Sequence, residues 1–350
     1  MKNNLIKLSL LRKNFYFILN GLYPWSHPLT NKIKLRLLKP INIKYIQISL
    51  TYDCQCSCAH CGMSKYNTSQ EKLKPRYIYK IINNIVPNGF GQIDFFGGEP
   101  LLDENIYQYV KYSSARGIFT HINTNGLKLK EDNVRRLAKS GLRAISISFD
   151  SPNPEIHNKN RGINESFQRA LIGAQLCIKN GIKTIMSIYS SPNDIVNGQT
   201  EELINIAKEY KFDSVRLLGT FKVGNLSSVD DPKYPDKAIK ILKKIIKDNP
   251  MVKPHGIWKC FVPYRTVAYI SPYGDVQPCS MVPFKFGNIG IESFSSILKR
   301  MYKHPLYDIS EPGCIMNSGM VKKAFYDNAD CRKQNLPIPI EQLVFSQEKD

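Results

Sequence analysis

No run of eighteen apolar residues occurs anywhere in the 350-residue chain. Its most apolar N-terminal stretch, Leu5 to Leu19, is broken by Lys7, Arg12 and Lys13, so neither a membrane span nor an ordinary signal peptide is expected. Acidic residues are also scarce, 29 against 49 lysines and arginines, which leaves a formal net charge of +20. Such a balance invites polyanions. Yet the cations are scattered over helix-like stretches, as in Lys237, Lys240, Lys243, Lys244 and Lys247, and no RNA-binding module signature accompanies them. A solvated surface is the default reading; an acidic electron donor and an acidic peptide substrate stay open, and nucleic acid ranks below them. The chain also lacks two separated cysteine pairs of the kind that close a structural zinc tetrahedron.

What it does have is four cysteines in eight residues, Cys54-Gln-Cys56-Ser-Cys58-Ala-His-Cys61, directly after a strand-like run ending at Leu50. Thiolates are soft ligands, and this crowding suits an iron-sulfur cluster better than zinc. Reduced clustered thiols in turn suit a cytoplasmic location. At 42% hydrophobic and 22% charged residues, the chain is long enough for one large α/β domain and an appendage.

Short β-branched runs alternate with helical stripes between Tyr45 and about Lys247, the pattern of a parallel sheet. Six strands are expected, near Ile46 to Leu50, Ile93 to Phe96, Phe119 to Asn123, Ala144 to Phe149, Thr184 to Tyr189 and Ser214 to Leu218. Tyr77, Ile78, Ile81, Ile82 and Ile85 recur at helical spacing, and a second helix from Glu165 to Lys179 should stop at Asn180-Gly181. Six such units without two more predict a partial (β/α)6 TIM-like barrel with its ligands at the C-terminal strand ends. Cys177, among Leu171, Ala174 and Ile178, reads as core.

Taken as Cys54, Cys58 and Cys61, the cysteine spacing resembles the signature of the radical S-adenosylmethionine (SAM) superfamily, with Cys56 a spare. The resemblance implies three thiolates on a [4Fe-4S] cluster whose fourth iron takes SAM, and formation of a 5'-deoxyadenosyl radical that abstracts hydrogen from a substrate. Further segments fit it. Gly97-Gly98-Glu99-Pro100 resembles the family's motif against the SAM amino group; glycines permit close approach and a carboxylate complements an ammonium. Asn125, in Thr124-Asn125-Gly126, and Ser148 and Asp150 resemble the family's strand-end SAM contacts, Arg161 is implied to pair with the SAM carboxylate, and His60 to lie against adenine.

After Pro254 the strand-helix alternation stops. Pro272-Tyr273-Gly274 punctuates an expected hairpin ahead of Cys279. With Cys260 before it, this segment resembles a SPASM or twitch extension, which implies one auxiliary [4Fe-4S] cluster held by Cys260, Cys279, Cys314 and Cys331. The dense cysteine run for a second auxiliary cluster is missing. The expected organisation is a basic amphipathic segment packed on the core over 1–44, a radical SAM core over 45–250 and a SPASM-like region over 251–350. The resemblance implies an oxidoreductase or maturase that modifies a peptide or protein side chain, reduced by a flavodoxin or ferredoxin. Dehydrogenation or rearrangement of a small metabolite, RNA modification and a non-enzymatic iron-sulfur carrier are the alternatives. Only about forty-four residues precede the first strand, which speaks against a leader-binding domain ahead of it.

Overall fold

The computed structural model describes residues 44–63, 72–220, 223–226, 234–255, 257, 260–309, 313–328 and 336–345. The N-terminal amphipathic segment and Cys331 lie outside these residues. The described residues form one compact unit. No helix among the described residues is long and apolar enough to cross a membrane.

Nine strands form one sheet: β1 Lys44–Ser49, β2 Phe90–Phe96, β3 Phe119–Thr124, β4 Ala144–Phe149, β5 Lys183–Tyr189, β6 Ser214–Leu218, β7 Val252–His255, β8 Val267–Ile270 and β9 Val276–Gln277. Their order is β7-β6-β5-β4-β3-β2-β1-β8-β9, and every neighbouring pair is parallel except the β8–β9 hairpin. The six expected strands are all present. The sheet nonetheless runs further at both ends, since β7 extends it beyond β6 and the C-terminal region places β8 against the free side of β1. The expected hairpin turns through Gly274, whose φ of 83° is a left-handed conformation that costs glycine little.

Helices cross between the strands: α1 Pro75–Ile85, α2 Ile106–Ser114, α3 Glu131–Lys139, α4 Pro154–Arg161, α5 Ser166–Lys179, α6 Pro192–Val196, α7 Gln199–Glu209 and α8 Asp236–Asp248, with α9 Phe294–Met301 after the sheet. Helix α1 buries the expected face, Ile78, Ile81, Ile82 and Ile85. At about 1.5–3 kcal/mol for each fully buried aliphatic side chain, that stripe fixes the helix on the sheet. Helix α5 ends at Lys179, directly before the expected stop, with Gly181 at φ 73° and Cys177 in the core.

The two faces of the sheet differ, and the difference locates the site. Strand residues alternate sides. One set, including Ile46, Ile48, Ile93, Phe95, Ile122, Ile145, Ile147, Phe149, Met186 and Leu217, is buried and apolar. The alternate set is polar: Gln47, Asp94, His121, Ser146, Ser187 and Arg216. A parallel sheet packed on both faces reads apolar on both. This inner face is built for polar contents instead.

Candidate active site

The loop after β1 carries Cys54, Cys56, Cys58 and Cys61, and backbone hydrogen bonds anchor it from three directions. The Gly98 N–H donates to Thr51 O at 2.8 Å and the Glu99 N–H to Asp53 O at 2.8 Å, from the end of β2. Ser57 N–H and Ala59 N–H donate to Arg161 O and Asn160 O, at 3.0 and 3.2 Å, at the end of α4. From the loop after β6, Asn225 Nδ2 donates to Cys58 O at 2.9 Å and its N–H to Cys61 O at 3.1 Å.

Both glycines expected at a ligand make their close approach to this loop. A Cβ on Gly98 would stand 2.2 Å from Asp53 O and 2.4 Å from Tyr52 O. On Gly97, at φ 134°, it would meet Thr51 O at 2.3 Å. Gly162 serves the same loop from the other side: it ends α4 at φ 69°, and a Cβ there would meet Ser57 Oγ at 2.2 Å.

Glu99 is wholly buried and ties two strand ends together. Its Oε1 accepts from Thr124 Oγ1 at 2.8 Å and from the Leu101 N–H at 3.1 Å, and its Oε2 from the Asn125 N–H at 2.8 Å. Burial pushes its pKa up to about 7, with the three donors opposing. Pro100 begins the short turn that Glu99 caps. Asn125 then reaches back to the cysteine loop, its Nδ2 3.2 Å from Gln55 Oε1 and 3.6 Å from Cys54 Sγ.

Strand β4 and helix α4 bring Asp150 and Arg161 together. Asn153 accepts from the Glu155 and Ile156 N–H groups with Pro154 at the first helical position, so α4 starts sharply after the strand. Arg161, at its far end, puts Nη2 2.6 Å from Asp150 Oδ1 and Nη1 3.7 Å from Cys58 Sγ. Burial opposes ionisation of Asp150, but Arg161 and then His60 hold its carboxyl below the usual value. The Asp150 N–H donates to His157 Nδ1, a ring that burial keeps neutral, with a pKa lowered to about 4. His60 Nε2 lies 3.5 Å from Asp150 Oδ1, and its ring stacks on Tyr189 at 4.6 Å between centroids. Ser148 is half-buried on β4, in the strand that leads to Asp150.

Two buried polar atoms of this cluster have no protein partner, Asp150 Oδ2 and Arg161 Nε. Groups of this kind are costly when dry and unmatched. Together with the soft donor set beside them, they fit a polar, zwitterionic ligand held next to a metal-sulfur centre. Cys58 is drawn down to about 7, first by the Cys56 thiol and then, against burial, by Arg161. Among the described residues no three His, Cys, Asp or Glu side chains converge as ligands of a single metal ion. A cubane cluster makes no such demand, because each of its thiolates binds a different iron.

Cys260, Cys279 and Cys314 meet elsewhere. They line one cavity of about 120 Å³ together with Tyr45, Asn123, Arg216 and His255 from the inner face of the sheet. Burial raises all three thiols, Cys279 to about 12, and each charged sulfur would repel the next. To ligate a metal these thiols must give up their protons, and the positive charge of bound iron would offset both the burial penalty and the repulsion among the resulting thiolates. The structure therefore groups three of the four expected auxiliary ligands; the fourth, Cys331, lies outside the described residues.

Tyr189, Asn225, Arg216 and His255 escape sequence reasoning. Each is a single polar residue outside any motif, and only the period-two polar face of the sheet could flag Arg216.

Residues 48–205 match the model of the Radical SAM superfamily, and residues 260–317 that of the SPASM iron-sulfur cluster-binding domain. In sequence, the chain is 24% identical over 275 residues to the antilisterial bacteriocin subtilosin biosynthesis protein AlbA of Bacillus subtilis (strain 168). That alignment takes in 75% of this chain and 61% of AlbA, so the chain spans about three fifths of this relative's length. In fold, it is similar to Streptococcus suis SuiB bound to precursor peptide SuiA, with a TM-score of 0.62 at 19% identity over 84% of this chain and 70% of that one. It is also similar to anSMEcpe with bound AdoMet and Cp18Cys peptide, with a TM-score of 0.58 at 16% identity over 75% of this chain and 83% of that one.

Proposed function

The chain belongs to the radical SAM superfamily and carries a SPASM domain, and from that premise we propose that it is a radical SAM maturase acting on a peptide or protein side chain. The observation that carries the reading is the unpartnered Asp150 Oδ2 and Arg161 Nε, set beside Cys58 of the cysteine loop at the C-terminal ends of β1 and β4. When bound, a [4Fe-4S] cluster and SAM supply a 5'-deoxyadenosyl radical able to take hydrogen from unactivated carbon.

In this reading Cys54, Cys58 and Cys61 would hold the [4Fe-4S] cluster beside which SAM would bind. Arg161 Nε would be available to the SAM carboxylate, while Asp150 keeps its guanidinium oriented. Gly97, Gly98, Glu99 and Pro100 fix the loop and the backbone near the SAM amino group, Asn125 and Ser148 contribute polar contacts, and His60 with Tyr189 forms an aromatic wall suited to adenine. Cys260, Cys279 and Cys314, with Cys331, hold one auxiliary [4Fe-4S] cluster able to accept an electron from the substrate. The named relatives support a peptide substrate: one is a bacteriocin biosynthesis protein and the structures of two others hold bound peptides. A reductant such as flavodoxin or ferredoxin and a cytoplasmic setting belong to the same proposal.

Anaerobic incubation of reconstituted protein with SAM and dithionite tests it. 5'-Deoxyadenosine is expected from the parent and from Cys56→Ala, and none from Cys58→Ala. A parent that carries its iron and yields none would defeat the reading.

A further inference from the structure

Arg216 is a cation in the wrong place for a salt bridge. It projects from β6 onto the inner face of the sheet and lines the same cavity as Cys260, Cys279 and Cys314. Its guanidinium is gripped by neutral groups: Nη2 donates to Asn123 Oδ1 at 2.6 Å and to Ser187 Oγ at 3.1 Å, and Nε to Ser187 Oγ at 3.3 Å. Among the described residues no carboxylate forms an ion pair with it; Asp94 acts on it only from beyond bridging distance and is itself engaged by His121 at 3.3 Å and Gln92 at 2.6 Å. Burial works against its charge.

Arg216 is half-buried, with its guanidinium turned into the cavity; a cation so placed is favoured by a compensating anion, and a hydrogen-bonded grip by an amide and a hydroxyl orients the charge without neutralising it. The cavity it lines provides the candidate. Thiolates bound to an iron-sulfur core carry net negative charge, and each electron added to the core increases it. Solvent screens such a pair less than at an open surface, because Phe96, Leu218, Phe261, Val262 and Val267 supply an apolar part of the cavity wall, beside polar groups such as Gln47 and Ser280.

Resting on the auxiliary-cluster reading above, we propose that Arg216 is the built-in counter-charge of that cluster: held by Asn123 and Ser187, it stabilises the reduced state and sets the potential at which the cluster takes one electron. It is a positioning residue for electron acceptance and ligates no iron. The geometry also gives it a direction. Arg216 pairs in register with Ser187 on β5, and Ser187 with Ser148 on β4, so one row of inward residues runs from the Asp150 end of β4 to the cavity. The charge therefore stands at the cavity end of that row.

The test uses the full chain with Cys54, Cys58 and Cys61 all replaced by Ala, so that only auxiliary iron remains, reconstituted anaerobically and followed by EPR through a dithionite redox titration. Arg216→Gln should move the cluster midpoint to a more negative potential, Arg216→Lys should stay close to the parent, and Lys243→Gln on the exposed side of α8 should leave it in place. An unchanged midpoint in Arg216→Gln at full iron content would overturn the proposal. Loss of the cluster from Arg216→Gln but not from Arg216→Lys supports it, since charge is then the requirement. Loss from both would assign Arg216 a merely structural role and overturn it. Absence of iron from the parent of this series would remove the auxiliary cluster and the proposal with it, while leaving the SAM-cleavage reading, tested in protein with Cys54, Cys58 and Cys61 intact, untouched.

Discussion

Gly98→Ala isolates the fit between the end of β2 and the cysteine loop. Gly98 has an ordinary negative φ, so alanine meets no backbone penalty of its own; the cost is contact. Its Cβ would stand 2.2 Å from Asp53 O, 2.4 Å from Tyr52 O and 2.6 Å from Asp53 C, all backbone atoms that no rotamer change can move. Bringing the nearest to about 3 Å displaces the segment next to Cys54 by roughly 0.8 Å. Two hydrogen bonds, Gly98 N–H to Thr51 O and Glu99 N–H to Asp53 O, stretch with it. At about 0.5–1.5 kcal/mol each, the expected loss is ~1–3 kcal/mol. Gly181→Ala is the control, because Gly181 has φ 73° and a Cβ there would meet nothing within 4 Å, so it carries only a conformational cost of about 1 kcal/mol. The assays are urea denaturation of the apoprotein and iron with acid-labile sulfide after anaerobic reconstitution. Both variants should lose stability, but only Gly98→Ala should also lose about four irons per chain, one cluster's worth. Full iron in Gly98→Ala with an unshifted denaturation midpoint would show that the glycine pair does not seat the loop.

Parent protein reconstituted anaerobically should hold about eight irons per chain, two clusters, and a plateau near four would remove the auxiliary site. Asp150→Asn leaves Arg161 as an uncompensated buried charge and should cost about 3–5 kcal/mol in apoprotein stability, read from urea midpoints, whereas an effect under ~1 kcal/mol would mean that the pair is solvated. Glu99 gives a pH signature. Its folded pKa, about 7, lies above the ordinary 4.5, so the folded chain binds more protons than the unfolded one between these values, and stability falls as pH rises through that window. Glu99→Gln should flatten this slope in apoprotein, and an identical slope in parent and variant would refute the assignment.

The cysteine loop and the strand-end segments are legible in the sequence because their chemistry is concentrated in short motifs that follow strands. The sheet's limits are not. β7 is four residues long, contains Pro254 and exposes Lys253, so neither length nor alternation distinguishes it from a loop. It is stabilised by lying beside β6 at the sheet edge, where a missing N–H is tolerated. β8 is visible as one arm of a hairpin, but its parallel pairing with β1, more than two hundred residues earlier, leaves no local trace. Gly97 and Gly98 read as room for a ligand; what the fold puts in that room is the cysteine loop itself. Asp150 and Arg161 both stand out in the sequence, but their union depends on how sharply α4 turns back after β4, which only the Asn153 cap and the Gly162 stop reveal in retrospect.

The pairing of β8 with β1 bears on how such chains can be recombined. Tyr269 of β8 donates to Ser49 Oγ at 2.7 Å and lies 3.0 Å from the Tyr52 hydroxyl, two residues before Cys54. A chimera joined near residue 250, with a foreign C-terminal region grafted onto this barrel, would have to reproduce that register and that hydroxyl contact as well as the cysteine spacing. The tail is thus poorly interchangeable: exchanging it also exchanges the strand that backs the cysteine loop.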